Sequence, residues 1–178
     1  MTNVRRVLRV ASILAASVFL ATAVTPRGRH LFIVAAVEAA AGAPIGQSGP
    51  ASSLPADVQI STDDLAKLLR APVALRPMTI HVGFYILYKQ AHIPGSEYSG
   101  PASQPNELEK LRKRVESLPR NELIVLYCGC CPWNHCPTLR PAYEALHSMG
   151  FTKLKVLYVP NNFGQDWVNR GFPVEKGQ

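Results

Sequence analysis

The residues best suited to chemistry in this chain are four cysteines that stand close together. All four fall within the nine-residue segment Cys-Gly-Cys-Cys-Pro-Trp-Asn-His-Cys at positions 128–136. A thiolate is a nucleophile, forms disulfides and binds soft metal ions. Since all the cysteines lie in this segment, disulfides between distant parts of the chain are excluded, and the cysteines belong to one site.

Cys128 has the position of a reactive thiol within this segment. It directly follows Leu123–Tyr127, a continuous apolar run that is typical of a central parallel strand covered on both faces. A helix is predicted to begin near Thr138. Open parallel sheets place their chemistry at the carboxyl ends of strands, and a following helix directs free N–H groups into that space. We therefore expect a lowered pKa for the Cys128 thiol.

Alternating strand and helix patterns surround the cysteine segment. Leucine and valine at helical spacing predict a helix over Pro105–Leu118, for example. The other predicted helices are a segment capped by Ser61 that stops before Pro72, and Thr138–Met149; the predicted strands are Met78–Val82, Leu123–Tyr127 and Leu154–Val159. Strands that alternate with helices predict an α/β fold with a parallel sheet.

Residues 1–43 have the order of an export signal. Met1–Arg9 is basic, Val10–Thr25 is apolar, and Ala21-Thr22-Ala23 is a small-x-small site that signal peptidase can cut. We predict export to the periplasm or the cell exterior, with an uncleaved N-terminal membrane anchor as the alternative. Residues 44–57 are rich in Pro, Gly, Ser and Ala and are predicted to be a flexible linker. The folded domain is then expected over residues 58–178.

The net charge of +7 does not indicate a protein that binds nucleic acid. Five of the 19 basic residues lie in the first 30 positions, within the predicted export segment. From Pro44 onward there are 14 basic and 11 acidic residues, without the basic stripe that phosphate backbones require. We expect no nucleic-acid partner and a membrane contact only through the N-terminal segment.

The order of motifs in residues 58–176 resembles that of rhodanese-like (sulfurtransferase) domains. His92-Ile93-Pro94-Gly95-Ser96 is similar to the family's His-Ile-Pro-Gly-Ala/Ser turn. The buried strand with Cys128 at its end is followed, in the family's order, by a loop, a helix, Gly150-Phe151 and a further strand. Trp167 and Gly171-Phe172-Pro173-Val174 complete the pattern.

This resemblance implies a parallel sheet of about five strands with helices on both faces. It also implies a catalytic Cys128, whose thiolate accepts a sulfane sulfur as a persulfide and passes it to a thiol or other thiophilic acceptor. Backbone N–H groups of the loop would hold the anionic donor. We assign this anion-binding role to Gly129, Cys130, Cys131, Trp133, Asn134 and His135. We expect no cofactor, and the sequence names no protein partner.

The chain departs from the family's pattern around the loop. The loop is longer than usual, and Asn134 stands where the family often has an arginine. The nearest arginine, Arg140, is therefore assigned as a possible anion contact. His81-Val82-Gly83 stands where Asp-Val-Arg is common, and Asn161-Asn162 where a glycine pair is common. Because a loop arginine must hold an oxyanion in the phosphatase use of this fold, that activity is disfavoured.

Three interpretations of the additional cysteines remain open. Cys130, Cys131 or Cys136 can resolve the Cys128 persulfide as a disulfide, which would make a thiol redox relay. Some of the four cysteines, with His135, can bind Zn or Cu(I), so that the domain would be a non-catalytic module that holds a metal or a protein partner. A structural disulfide of Cys136 with Cys131 or Cys130 can rigidify the loop. We favour the enzyme, assign Cys131 and Cys136 as resolving or disulfide residues, and assign no metal.

Overall fold

The computed structural model of the chain describes residue 51 and residues 54–177. The predicted export segment 1–43 lies outside the described residues, as do most residues of the predicted linker. Among the described residues, no helix combines the length and the apolar character needed to cross a membrane.

A five-stranded parallel sheet forms the centre of the domain. Its strands are β1 Gln59–Ile60, β2 Met78–His81, β3 Glu97–Tyr98, β4 Leu123–Tyr127 and β5 Lys153–Leu157. Their order across the sheet is β1-β5-β4-β2-β3, and every pairing is parallel. The α/β fold with a parallel sheet of about five strands is therefore confirmed, and β4 is its central strand.

Within residues 54–177, four α-helices pack around the sheet: α1 Thr62–Leu68, α2 Tyr85–Gln90, α3 Pro105–Val115 and α4 Leu139–Ser148. The predicted cap of α1 forms, because the Ser61 side chain accepts a hydrogen bond of 3.1 Å from the N–H of Asp64. Gly150 lies two residues after the end of α4 and has a φ of +88°, a conformation that favours glycine. Its N–H donates to the carbonyl of His147 at 2.9 Å, so the predicted helix end is confirmed.

The two faces of the sheet carry separate cores, which explains why β4 is apolar at every position. Ile124 and Leu126 point to one face, where they pack in a cluster with residues of α3 and α4. Val125 and Tyr127 point to the other face, in a cluster with residues of α1 and with Trp167. A strand that is buried on both faces cannot alternate apolar and polar residues. Helices on both faces are thus confirmed.

Some elements were not predicted, because they are short and carry no clear periodicity. They include the two-residue strands β1 and β3, the helix α2, and a π-helical turn over Gly164–Val168. The described part of the predicted linker also differs from a flexible tether. Ala51 and Leu54 are buried in the core, and the N–H of Ala51 donates to the carbonyl of Cys136 at 3.2 Å. This backbone contact connects the start of the domain to the cysteine loop.

Candidate active site

Cys128 lies at the carboxyl end of the central strand, as the sequence predicted. β4 ends at Tyr127, and the neighbouring strand β2 ends at His81, which is paired with Tyr127 in the sheet register. The chain beyond β2 stays close, because the N–H of Val82 donates to the carbonyl of Tyr127 at 2.9 Å. The Cys128 side chain is buried, with only 2% of the residue exposed. It therefore sits beneath the loop at the edge where parallel sheets carry their chemistry.

The loop brings the cysteines together as a cluster of free thiols. The Sγ atoms of Cys128 and Cys130 are 3.2 Å apart, and those of Cys130 and Cys131 are 3.1 Å apart. Cys136 completes the group from the far end of the loop: the Sγ atoms of Cys128, Cys130 and Cys136 all lie within 4.8 Å of one another. No disulfide joins the four cysteines in this structure. We call Cys128, Cys130 and Cys136 the trithiol cluster.

Negative charge in the trithiol cluster is favoured on Cys136. Hydrogen bonds from the thiols of Cys128 and Cys130 hold the pKa of Cys136 far below its usual range, and Thr138 adds to this. The Thr138 hydroxyl lies 3.4 Å from the Cys136 Sγ. Thr138 is also the residue before α4, whose N-terminus carries partial positive charge. Cys136 is therefore the cysteine that most readily holds the thiolate.

Cys128 is correspondingly held as a thiol. A hydrogen bond from Cys130 lowers the pKa of Cys128, but the hydrogen bond to Cys136 and burial outweigh it and raise that pKa to about 12. The lowered pKa that we expected for Cys128 is thus found at Cys136. The reason is that one thiolate is stabilised by its neighbours' S–H groups, whereas a second thiolate beside it is opposed by like charge.

Gly83 and His81 close the inner side of the site. A Cβ atom added at Gly83 would lie 2.8 Å from the Cys128 Sγ and 2.9 Å from the Cε1 of His81. Gly83 is therefore a close-contact position that excludes larger residues. The sequence does not mark Gly83 as a neighbour of Cys128, since a lone glycine after a strand carries no signal of its own.

His81 is a neutral imidazole in this environment. Burial, then the nearby His92, lower its pKa to about 4, while Cys136 acts in the opposite direction. The rings of Tyr88, Tyr98 and Tyr127 surround it at centroid distances of 5.0–6.0 Å. The N–H of Gly83 donates to its Nδ1 at 3.3 Å, so the ring proton lies on Nε2. His81 thus supplies no positive charge to the thiols.

The other predicted site residues have contacts outside the trithiol cluster. Trp133 is 7% exposed and packs edge-on against Tyr158 at 5.2 Å, so it covers the loop. The His135 Nδ1 is 2.8 Å from the Asn134 Oδ1. Arg140 pairs with Glu144 one turn later in α4, with its Nε 2.6 Å from the carboxylate.

The backbone hydrogen bonds of the loop determine which of its N–H groups are available to donate to a bound anion. Those of Trp133, His135 and Cys136 already donate to carbonyl groups of the protein. Among the described residues, no backbone carbonyl outside the regular elements accepts from the N–H groups of Gly129, Cys130, Cys131 or Asn134. An N–H cradle in this loop therefore depends on these four positions.

A small cavity reaches the residues beside Cys128. It measures about 100 Å³, and Gly129, His81 and Phe163 are among its lining residues. Phe163 packs tightly on Gly129, where an added Cβ would lie 2.4 Å from the Phe163 Cβ. A larger pocket of about 660 Å³ is lined by Leu123, Phe151 and Lys153, at the amino ends of β4 and β5. That pocket is at the opposite end of the strands from the cysteines.

No protein-family model and no curated protein matches the chain. Solved structures do match. The BH2092 protein from Bacillus halodurans aligns with a TM-score of 0.51 and 20% identity, over 66% of this chain and 76% of that protein. The rhodanese-like domain of the Alr3790 protein from Anabaena sp. aligns with a TM-score of 0.48 and 21% identity, over 67% of this chain and 79% of that domain. A thiosulfate sulfurtransferase from Pseudomonas aeruginosa aligns with a TM-score of 0.47 and 21% identity, over 67% of this chain and 19% of that enzyme.

These likenesses concern the fold, since about four in five aligned residues differ. The parallel sheet, the helices on both faces and the cysteine at the end of the central strand agree with the resemblance found in the sequence. The five-stranded sheet, the parallel pairings and the helices on both faces are therefore those that the resemblance to rhodanese-like domains implied, with an unusually cysteine-rich loop after the central strand.

Proposed function

We propose that this protein is an exported sulfurtransferase that carries sulfane sulfur as a persulfide on Cys128. The observation that carries the proposal is the placement of a buried Cys128 at the end of the central strand, in hydrogen-bonding contact with other thiols. The proposal of export depends on residues 1–43, in which a basic segment, an apolar segment and a small-residue cleavage site follow one another. The rhodanese-like fold supports the reaction class.

The first half-reaction uses Cys136 as the proton acceptor. The Cys128 proton moves to the Cys136 thiolate in the same cluster. This transfer is uphill, because the pKa of Cys128 is the higher of the two, so the attack proceeds from a minor population of Cys128 thiolate. The Cys128 thiolate then attacks the outer sulfur of an anionic donor such as thiosulfate. A new S–S bond forms on Cys128, the S–S bond of the donor breaks, and sulfite leaves with the electron pair. The backbone N–H groups of Gly129, Cys130, Cys131 and Asn134 hold the anionic donor and the leaving group.

The second half-reaction returns the site to its starting state. An acceptor thiolate attacks the outer sulfur of the persulfide, and the Cys128 sulfur leaves as a thiolate. This thiolate recovers its proton from Cys136. The sulfane sulfur has then moved from donor to acceptor without any external reductant or oxidant.

A thiol redox relay is a second candidate function, favoured by the 3.2 Å distance between the sulfurs of Cys128 and Cys130. In this reaction the Cys130 thiolate attacks the inner sulfur of the Cys128 persulfide. A Cys128–Cys130 disulfide forms and hydrosulfide leaves. An external thiol must then reduce the disulfide before the next cycle.

The test is the intact mass of the reduced protein before and after brief exposure to thiosulfate or a polysulfide. We expect a species heavier by one sulfur atom, which cyanide discharges and which Cys128→Ser does not form. Cys131→Ser is the matched comparison: the substitution is the same, but the structure places this thiol against Cys130. Sulfur uptake is expected to persist there.

Failure of the native protein to gain sulfur from either donor would refute the sulfurtransferase. A loss of two hydrogens with release of hydrosulfide, in place of a stable heavier species, would instead establish the redox relay. Circular dichroism of Cys128→Ser shows whether the variant keeps its fold.

A further inference from the structure

We propose that the trithiol cluster is a binding site for one thiophilic monovalent d¹⁰ cation, Cu(I), held by the sulfurs of Cys128, Cys130 and Cys136. The proposal goes beyond sulfur transfer and does not depend on it. It starts from the separation of these three Sγ atoms, which all lie within 4.8 Å of one another. Three donors around one point define a trigonal site.

The positions of the three donors are fixed by different parts of the fold. Cys128 is attached to the end of β4, and Cys136 lies three residues before the start of α4. Both are buried at 2% exposure, while Cys130 between them is half-buried. The carbonyl of Cys136 is further held by the N–H of Ala51. Two donors are therefore anchored on the core, and the third closes the site from the loop.

The type of donor selects the type of metal. Thiolate sulfur is a soft ligand that favours Cu(I), Zn and iron–sulfur clusters over the hard ions Mg²⁺ and Ca²⁺, which need oxygen. Within the described residues, the side chains grouped here contain sulfur donors alone, without a carboxylate or imidazole. Hard cations are therefore excluded from this group of ligands.

The number of donors separates Cu(I) from Zn²⁺. Structural Zn²⁺ is almost always held by four protein ligands in a tetrahedron, and a zinc site with three protein ligands takes a water or a substrate as the fourth ligand. Cys131, the remaining cysteine, lies 3.1 Å from Cys130 but falls outside the group of mutually close sulfurs. Its backbone neighbour Cys130 already faces the cluster, and adjacent cysteines rarely chelate one ion well. A three-sulfur site matches a monovalent ion that needs fewer ligands.

Metal and sulfane sulfur would exclude each other at this site, because both occupy the Cys128 sulfur. A bound Cu(I) ion needs Cys128 as a thiolate ligand, whereas the persulfide places another sulfur on the same atom. Cu(I) is therefore expected to inhibit sulfur uptake at one equivalent. The two proposals can nevertheless be refuted separately, since Cu(I) binding is measured without any sulfur donor.

The experiment titrates the reduced full-length protein with Cu(I), without oxygen, in competition with a chromogenic Cu(I) chelator. We expect one Cu(I) per protein and an X-ray absorption spectrum with three sulfur neighbours. Mutation of an outer-shell partner alone typically costs about 10- to 100-fold in metal affinity, so Cys136→Ser, which removes a ligand, should weaken binding by more than about 100-fold. His147→Gln, an exposed histidine on α4, controls for adventitious binding and should leave the affinity unchanged.

Cys131→Ser distinguishes three sulfur ligands from four. We expect this variant to retain the native Cu(I) affinity. A large loss of affinity in Cys131→Ser, or a nitrogen neighbour in the absorption spectrum, would overturn the assignment of the three ligands. Equal Cu(I) affinity in the native protein and in Cys136→Ser would refute the proposed site, provided that the variant has a native circular dichroism spectrum. Cu(I) binding without persulfide formation would refute the sulfurtransferase alone.

Discussion

An alanine at position 83 would place a methyl group between the two side chains that close the inner side of the site. Its Cβ would lie 2.8 Å from the Cys128 Sγ and 2.9 Å from the His81 Cε1, where ordinary contacts are 3.4–4 Å. Neither neighbour can swing away easily, because both residues are 2% exposed and lie at the ends of adjacent buried strands. The backbone or both side chains must therefore shift by several tenths of an ångström.

The structure sets the expected magnitude of this change. Adding a methyl group to a tightly packed interior costs about 1–3 kcal/mol. For a domain of this size, about 1 kcal/mol corresponds to about 4 °C in the melting temperature, so Gly83→Ala should melt about 4–12 °C below the native protein. Since misplacement of a reacting atom by about 1 Å can cost about 100-fold in rate, persulfide formation on Cys128 should slow by about 10- to 100-fold.

The assay combines thermal unfolding followed by circular dichroism with the rate of sulfur uptake followed by intact mass. Gly164→Ala is the matched control, since its added Cβ would meet only the end of the Asn162 side chain at 3.1 Å. We expect the control to melt close to the native temperature and to take up sulfur at the native rate. If Gly83→Ala matched the native protein in both measurements, the close packing of Gly83 against Cys128 would be refuted.

Two further predictions concern protonation. His81 has a pKa of about 4 when folded, through burial first, against 6.5 when unfolded. The unfolded chain therefore binds more protons between these values, and stability is complete above pH 6.5 and falls by up to about 3 kcal/mol as the pH drops toward 4. Urea unfolding at several pH values should show this fall, reduced in His81→Gln and unchanged in the exposed His135→Gln; equal falls in both variants would contradict it. The ultraviolet absorbance of the thiolate should show one thiolate persisting well below neutral pH, and Cys136→Ser should remove it. If that absorbance instead disappears in Cys128→Ser and survives in Cys136→Ser, the charge assignment is wrong.

The regular elements near the site were predictable because their signals are local. The apolar run Leu123–Tyr127 coincides with β4, and the helical pattern from Pro105 coincides with the start of α3. Ser61 caps α1 through its side chain, as the order of residues in that segment indicated. Each of these predictions depends on burial periodicity or on a hydrogen bond within a few residues.

The short elements were not predictable, since their conformation depends on distant partners. β1 is only two residues long and exists because Gln59 and Ile60 pair with β5. The burial of Ala51 and Leu54 likewise results from packing against the core, which the Pro- and Gly-rich composition of their segment does not indicate. Gly83 is a further case, because only the approach of the Cys128 sulfur makes its lack of a side chain necessary.

The sequence by itself determined the chemistry available to this protein. Four cysteines in nine residues, after a strand buried on both faces, restrict the site to sulfur chemistry at the edge of a parallel sheet. Only the tertiary structure decided how the cysteines divide their roles. Folding brings Cys136 back against Cys128, so that the thiolate is stabilised on Cys136 and Cys128 remains a thiol. Spacing along the chain cannot supply this result, because pKa values depend on distances between side chains and on burial.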